Sequence, residues 1–440
     1  MRRAAWQAVR GFHDRGWRIA HSLDRIGQVT TLQPRDRAMA SSLAGLCVRR
    51  RASLDAVLTA YVKRGRGEME NDLWLLAQLG AAQLFFRPDI PPRAAIHATC
   101  EVAREVNAQR WVGFLNGTLR TLSNSFEHAD GCDDPSLAIA DEARGWITFD
   151  RPILTDKQTT KRLSKCYSLP RWLINRWNER LPNAEAVMRA SNRGEGLWLR
   201  TRPGERDAVL GEIDAAGHAA ELGELPQSIF LPQSVPLSTI AAFGDGRASV
   251  QNITAMRAVD LLGPQPDERV LDLCAAPGGK TTAIAERGAT VVAADSDEKR
   301  LPRVAENVAR LGLQDSVELL AIGREGERMP SVDSFDAALV DVPCSNTGVL
   351  ARRPEARWRV GPDDLTQLPP LQSRLLAQAA MCVKRGGRLV YSTCSIEPEE
   401  NEQIVDRFLS GAPKWSRIKQ HTTLPDARTD GGFRALLHHE

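Results

Sequence analysis

The sequence predicts a multidomain protein: an all-α N-terminal domain, a small α+β module, and a C-terminal α/β domain built on a doubly wound, Rossmann-like sheet. Three patterns carry this. Apolar residues recur at helical spacing between Arg35 and Phe126, strand-like and helix-like segments alternate from Val250 onward, and a weaker mixed pattern lies between. The chain has 440 residues, 42% of them hydrophobic, which is enough for roughly two to four domains and too many for one core.

The N-terminal domain is placed at 1–128. Leu43, Leu46 and Cys47 are followed by Leu54, Val57, Leu58 and Tyr61, then by Leu73, Leu76, Leu79 and Leu84, with Pro88, Pro91 and Pro92 punctuating the helices. Residues 129–168 are polar and mixed, which reads as a linker with some local structure. The α+β module, 169–246, opens with the helical RWLINRWNERL and contains WLRTRP. In the last domain, 247–440, strands RVLDLC, TVVAAD, SVELLA, FDAALVDVPC and GRLVYSTC alternate with helical segments from Thr281 and over 297–311, 371–384 and EENEQIVDRFL. Such alternation predicts a parallel sheet with helices on both faces.

Composition bounds the function less tightly. The 58 basic and 55 acidic residues nearly cancel, but residues 1–66 hold 14 Lys or Arg against Asp14, Asp24, Asp36 and Asp55. That asymmetry suits a polyanionic partner, and solvated basic helices give the same count. The eight cysteines form no CxxC pair, so neither a structural metal site nor a disulfide framework is expected, and reduced thiols in the cytoplasm fit best. The charged start has no apolar signal region and no long uncharged apolar run occurs, so neither export nor a membrane span is expected.

The first strand of the last domain runs into Cys274-Ala275-Ala276-Pro277-Gly278-Gly279-Lys280, a Gly-rich turn where backbone can approach a ligand. A phosphate-binding P-loop would need glycine at 274, where a cysteine stands. Asp295, ending the second strand, is placed to bind a ribose diol, although a local helix cap would use the same residue type. Cys344 and Cys394 both follow later strands, on the edge where open α/β sheets bind ligands. Either alone is more often a small buried hydrophobe. No histidine occurs between Ala219 and Gln420, which disfavours Cys-His or Ser-His-Asp hydrolysis. A thiolate adding to C6 of a pyrimidine needs no histidine if an acid protonates or hydrogen-bonds N3, and Asp341 is placed for that.

The segments CAAPGGKT, DVPCSNTG, RRPEARWR, LQSRLL and YSTCSIEPEEN resemble the bacterial RNA cytosine-C5 methyltransferases of the Sun/RsmB type, in the NOL1/NOP2/Sun superfamily. RAAIHATCEVAREV and FLNGTLRTL make the first domain similar to the NusB antitermination fold, and LPRWLINRW to LWLRTRP resembles the family's pre-methyltransferase module. The likeness covers nearly the whole chain. It implies a class I methyltransferase domain that takes S-adenosylmethionine and acts on RNA, with small-subunit ribosomal RNA as the expected partner. It also implies that Cys394 is the nucleophile, that Cys344 assists product release, and that Asp341 contacts both the cofactor side and the target base. Residues Cys274 to Lys280 with Asp295 would hold the cofactor, and Lys280 would point toward the base. Four departures stand out: Ile322 in LLAIGRE where relatives carry Asp, Asn252 for Asp in VQN, Asn346 for Gly in the PCS loop, and a shortened TDGGFRALL. Ile322 leaves open a binding or assembly protein with an inactive methyltransferase domain.

Overall fold

The computed structural model describes residues 1–194, 196–233, 235–323 and 326–440. The chain forms two compact units, Met1–Gly194 with Leu350–Gly361, and Glu195–Val349 with Pro362–Glu440.

The first unit opens with seven helices: α1 (Arg2–Arg15), α2 (Ile19–Val29), α3 (Pro34–Arg49), α4 (Arg51–Tyr61), α5 (Asn71–Phe86), α6 (Pro92–Glu105) and α7 (Arg110–Ser123). Pro34 and Pro92 open their helices, where a missing N–H costs nothing, and Gly16 closes α1 in the left-handed conformation with φ 65°. Every residue of α5 from Leu73 to Phe85 is buried, as an all-round apolar helix requires. A Cβ on Gly80 would lie 2.5 Å from Leu119 Cδ1, so the bare backbone there lets α7 pack against α5.

Strands β1 (Phe126–Ala129), β2 (Ala138–Asp141) and β3 (Gly145–Phe149) form an antiparallel sheet in the order β1-β3-β2, followed by α8 (Thr159–Cys166), α9 (Arg171–Arg180) and α10 (Ala184–Ala190). Much of the 129–168 stretch read as a linker is therefore regular structure. These strands span four or five residues, and β2 is buried throughout, so no alternation marks them in the sequence.

The second unit begins with β4 (Leu197–Thr201), α11 (Arg206–Ala215), β5 (Glu221–Leu222), β6 (Ser228–Leu231), α12 (Ala241–Gly244) and β7 (Ala248–Val250). The strands make an antiparallel sheet in the order β5-β6-β4-β7. Thus α9 and α10 of the 169–246 stretch fold with the first unit, and its strands with the second.

Alternation then sets in with α13 (Ile253–Leu262), β8 (Arg269–Leu273), α14 (Gly279–Ala285), β9 (Thr290–Asp295), α15 (Leu301–Arg310), β10 (Val317–Ala321) and β11 (Phe335–Asp341). The chain next supplies Leu350–Gly361, which carries α16 (Ala356–Arg359), to the first unit. There the buried Arg357 guanidinium donates to the carbonyls of Arg49, Ser168, Ser191 and Leu350 and to Asn192 Oδ1, at 2.6 to 3.1 Å. Trp358 Nε1 donates to Val48 O at 2.8 Å, and Glu355 accepts from Ile19 N at the start of α2. The second unit ends with α17 (Asp364–Cys382), β12 (Val383–Thr393), α18 (Glu402–Gly411), β13 (Trp415–Thr423) and β14 (Gly432–His439).

The large sheet has the order β10-β9-β8-β11-β12-β14-β13, parallel from β10 to β12 and antiparallel beyond. Neighbouring residues Val270 and Leu271 of β8 fall in separate apolar clusters. Burial on both faces is why these strands read as continuous hydrophobic runs.

Candidate active site

The carboxyl ends of four parallel strands assemble the site. β8 leads into the Gly-rich turn, β9 ends on Asp295, β11 on Asp341, and β12 leads into Cys394. The strand order reverses between β8 and β11, which opens the crevice that such sheets use for ligands.

Cys274 takes a left-handed φ of 66°, and the turn then folds back on β9: Ala275 N donates to Ala294 O at 3.0 Å and Ala276 N to Asp295 Oδ2 at 3.1 Å. Asn307 on α15 donates to Pro277 O at 2.9 Å. Gly278 has φ 97°, and a Cβ there would lie 3.0 Å from Val304 Cγ1, so this position needs glycine for both conformation and space. Asp295 is buried, accepts also from Asp297 N at 3.0 Å, and lies 3.4 Å from Arg300 Nη1.

Lys280, on the first turn of α14, donates from Nζ to Asp341 Oδ2 at 2.6 Å. Burial alone would lower the pKa of its ammonium, but Asp341 and then Asp272 hold it above the ordinary lysine value. The register pairs Asp341 with Ser392, whose hydroxyl donates to the other carboxylate oxygen at 3.1 Å. The sulfurs of Cys344 and Cys394 are 3.0 Å apart. Hydrogen bonding to Cys394, burial and the Cys394 and Glu400 charges raise the Cys344 thiol well above its usual range. Cys394 Sγ also lies 3.2 Å from Asn346 Oδ1, while Asn346 Nδ2 donates to Cys344 O at 2.7 Å. The structure therefore brings Lys280, Asp341, Cys344 and Cys394 together beside the turn.

A buried polar scaffold holds the two cysteine loops. Glu400 accepts from Ser345 N at 2.8 Å, from Ser345 Oγ, and from Gln372 Nε2 at 3.0 Å, while Gln372 also donates to Pro343 O at 2.9 Å. Ser395 Oγ meets Ser345 Oγ and Thr347 Oγ1 at 3.1 and 3.2 Å, and Asn401 accepts from Thr393 Oγ1 at 2.6 Å. Gly348 N donates to Cys394 O at 3.0 Å, and a Cβ on Gly348 would lie 2.6 Å from Gly431 C, so the loops meet backbone to backbone. Glu400, Asn401 and Gln372 all sit inside motifs visible in the sequence, yet only the fold shows that they converge.

Sequence reasoning missed Asp272 and Gln251. Asp272 is buried on β8, accepts from Thr281 Oγ1 at 2.5 Å, and has its Oδ1 buried without a hydrogen-bond partner. Burial pushes its carboxyl up to about 7, against the opposing hydrogen bond from Thr281 and the Lys280 charge. Gln251 Nε2 is likewise buried and unpartnered, 3.6 Å from where a Cβ on Gly279 would lie. An acceptor and a donor left over by the protein fit an amino-acid group carrying both an ammonium and a carboxylate, as S-adenosylmethionine does.

The departures also find their places. Ile322 is buried among core apolar residues, offering no side-chain acceptor, and the last two residues of LLAIGRE lie outside the described residues. Asn252 caps α13, accepting from Thr254 N at 3.0 Å and donating to Asp430 Oδ2 at 2.6 Å. Asn346 has φ 64°, a conformation asparagine tolerates better than most residues replacing glycine. The TDGGFRALL segment supplies most of β14. No group of three His, Cys, Asp or Glu that could hold a metal occurs among the described residues, and no described helix is long and apolar enough to cross a membrane.

This sheet order, with a Gly-rich turn after the first strand and an acid closing the second, defines the class: an S-adenosylmethionine-dependent methyltransferase. The profile described as 16S rRNA methyltransferase RsmB/F matches residues 259–435, the NusB family matches 1–124, and the RsmF/B-like ferredoxin-like domain matches 169–238. Ribosomal RNA small subunit methyltransferase B of Escherichia coli is 31% identical over 93% of this chain and 90% of its own. The Synechocystis protein described as probable ribosomal RNA small subunit methyltransferase B is 31% identical over 100% of this chain and 96% of its own. The chain belongs to the RsmB/F methyltransferase family. The crystal structure of PH0851 shares the fold with a TM-score of 0.74 and 24% identity, covering 99% of this chain and 98% of that one. A methyltransferase homologue from Pyrococcus horikoshii does so with a TM-score of 0.56 and 24% identity, over 65% of this chain and all of that one.

Proposed function

We propose that the protein methylates carbon 5 of a cytosine in small-subunit ribosomal RNA, in the cytoplasm, with Cys394 as a transient covalent nucleophile. The observation that carries this reading is the pair of thiols 3.0 Å apart beside the Lys280–Asp341 pair. Bound S-adenosylmethionine supplies an electrophilic methyl group. Residues 274–280, Asp295 and Asp341 would hold it, together with the spare acceptor of Asp272. The RNA substrate follows from the family and from its relatives' names, and the basic first 66 residues suit a polyanion.

The target base must leave its stack, at a few kcal/mol if it starts paired, so that C6 faces Cys394. The hydrogen bond with Cys394 and burial raise the Cys344 pKa, and Cys394 attacks as the thiolate. Cys394 thiolate adds to C6 while N3 takes a proton held by the Asp341–Lys280 pair, which leaves C5 electron-rich enough to accept the methyl group. Water then takes the C5 proton, the C5–H electron pair restores the C5=C6 bond, the C6–S pair returns to Cys394 sulfur, and N3 gives its proton back to the Asp341–Lys280 pair, with Cys344 assisting release.

The two cysteines act at opposite ends of one covalent intermediate, so their removal has opposite effects. Cys394→Ala is expected to bind cofactor, transfer no methyl and form no denaturant-resistant protein–RNA adduct. Cys344→Ala is expected to accumulate that adduct as a slow band on a denaturing gel. Identical behaviour, or an adduct missing only from Cys344→Ala, would reverse or remove these roles. The second reading, a binding protein with an inactive domain, is favoured by Ile322 at a position without an acceptor. Transfer of labelled methyl to RNA by the whole chain excludes it.

A further inference from the structure

Arg200 lies on β4, buried at 3% exposure, and all five guanidinium N–H groups have partners. Nε and Nη2 fork onto the two carboxylate oxygens of Glu286 at 2.9 and 3.2 Å. Nη2 also donates to Thr282 Oγ1 at 3.0 Å, and Nη1 donates to Gly279 O at 2.8 Å and to Gln251 Oε1 at 2.5 Å. One cation thus grips α14 from its first residue, Gly279, to Glu286 at its C-cap. That helix has only seven residues, too few to persist by its own hydrogen bonds, so its position is set by what it packs against. The same cation fixes Gln251. A guanidinium only donates, so the amide must turn Oε1 toward it and Nε2 away, toward Gly279, where Nε2 is buried without a partner.

We propose that Arg200 is a positioning residue for the cofactor: it sets the start of α14 against the small sheet and orients Gln251 so that its spare N–H donates to an oxygen of bound S-adenosylmethionine. This rests on the reading of residues 274–280 as the cofactor turn. It makes β4 part of the cofactor site although the strand carries none of the Gly-rich motif. A lysine at 200 would keep the charge but lose the planar fork, so it would hold Glu286 or Gln251 without holding both in register.

The test measures S-adenosylmethionine and S-adenosylhomocysteine binding by calorimetry, with steady-state kinetics and melting, on the full-length protein and its Arg200→Met, Arg200→Lys and Gln251→Leu variants. Arg200→Met and Gln251→Leu are expected to bind cofactor about tenfold more weakly, as loss of one charge-assisted hydrogen bond gives. Their KM for cofactor should rise by the same factor, their KM for RNA should not, and the lost rate should return at saturating cofactor. Arg200→Lys should fall between wild type and Arg200→Met. A purely structural Arg200 would lower the melting temperature and leave cofactor affinity at the wild-type value. That result, or wild-type affinity in Gln251→Leu, overturns the proposal. If Arg200→Met does not fold, Gln251→Leu decides. Wild-type protein that neither binds cofactor nor methylates RNA would instead remove the reading beneath it.

Discussion

Asp272 is a carboxyl enclosed under the Gly-rich turn, and its elevated pKa makes it a reporter of folding. Its folded value is about 7 against an ordinary value of 3.8, so between these pH values the folded chain holds a proton that the unfolded chain has released. Stability from this group therefore rises as pH falls from about 7 toward 4 and levels off below. Asp272→Asn has no such proton. The unfolding free energy of wild type relative to Asp272→Asn, measured in urea, should climb by ~1.4 kcal/mol for each pH step downward across that window; a flat difference would place the carboxyl in contact with water. The letters around Asp272 read only as a strand, because alternation reports burial and is silent on an unmatched oxygen. The cysteines stood out because both follow plain strands on the sheet edge that carries the Gly-rich turn, while the roles expected of them and of Lys280 came from the motifs' resemblance to the family.

Among the elements, the loops after β11 and β12 carry the two cysteines, and their shape is set from behind by α17 and by Glu400 at the approach to α18. Glu400 is fully buried and accepts from Ser345 and Gln372. Glu400→Ala strands those donors without water, which should destabilise the domain by about 3 kcal/mol and separate the two sulfurs. Urea unfolding measures the first effect, and loss of the RNA adduct under conditions where the variant remains folded measures the second. The alternating elements of this domain were readable because its inner strands β8, β9 and β11 are buried on both faces and read as apolar runs between helical segments. Strands β1 to β3 were not, being four or five residues long with no period to detect. Motifs LQSRLL and YSTCSIEPEEN were visible, but the link between Gln372 and Glu400 depends on how α17 lies across β11 and β12.

At the scale of the whole molecule, the chain passes between its two units three times, and no run of sequence announces it. As sequence, RRPEARWR is a motif resembling the family's, and its four arginines do not foretell burial. Yet its Arg357 is enclosed by four carbonyls and an amide oxygen, with burial and then the charges of Arg49 and Arg50 pressing its pKa well below the usual arginine value. Arg357→Met would leave those acceptors unmatched and is expected to cost the first unit about 3–5 kcal/mol. A chain ending at Gly194 should be destabilised in the same direction, because it lacks the segment altogether. Thermal melting of the 1–194 fragment with and without a peptide of residues 350–361 checks this: the peptide should raise the transition, and an Arg357→Met peptide should not.

The returning segment also fixes an order of events during synthesis. Residues 1–194 emerge first, yet their last structural piece is encoded beyond Cys344 and is complete only when Gly361 has left the ribosome. Until then the nascent N-terminal unit carries an unfilled socket at Arg49, Ser168 and Ser191, whose carbonyls await a guanidinium. The unit that leads in translation is thus finished only after the loop bearing Cys344 has been made, and a message truncated between these points yields a protein without its own keystone.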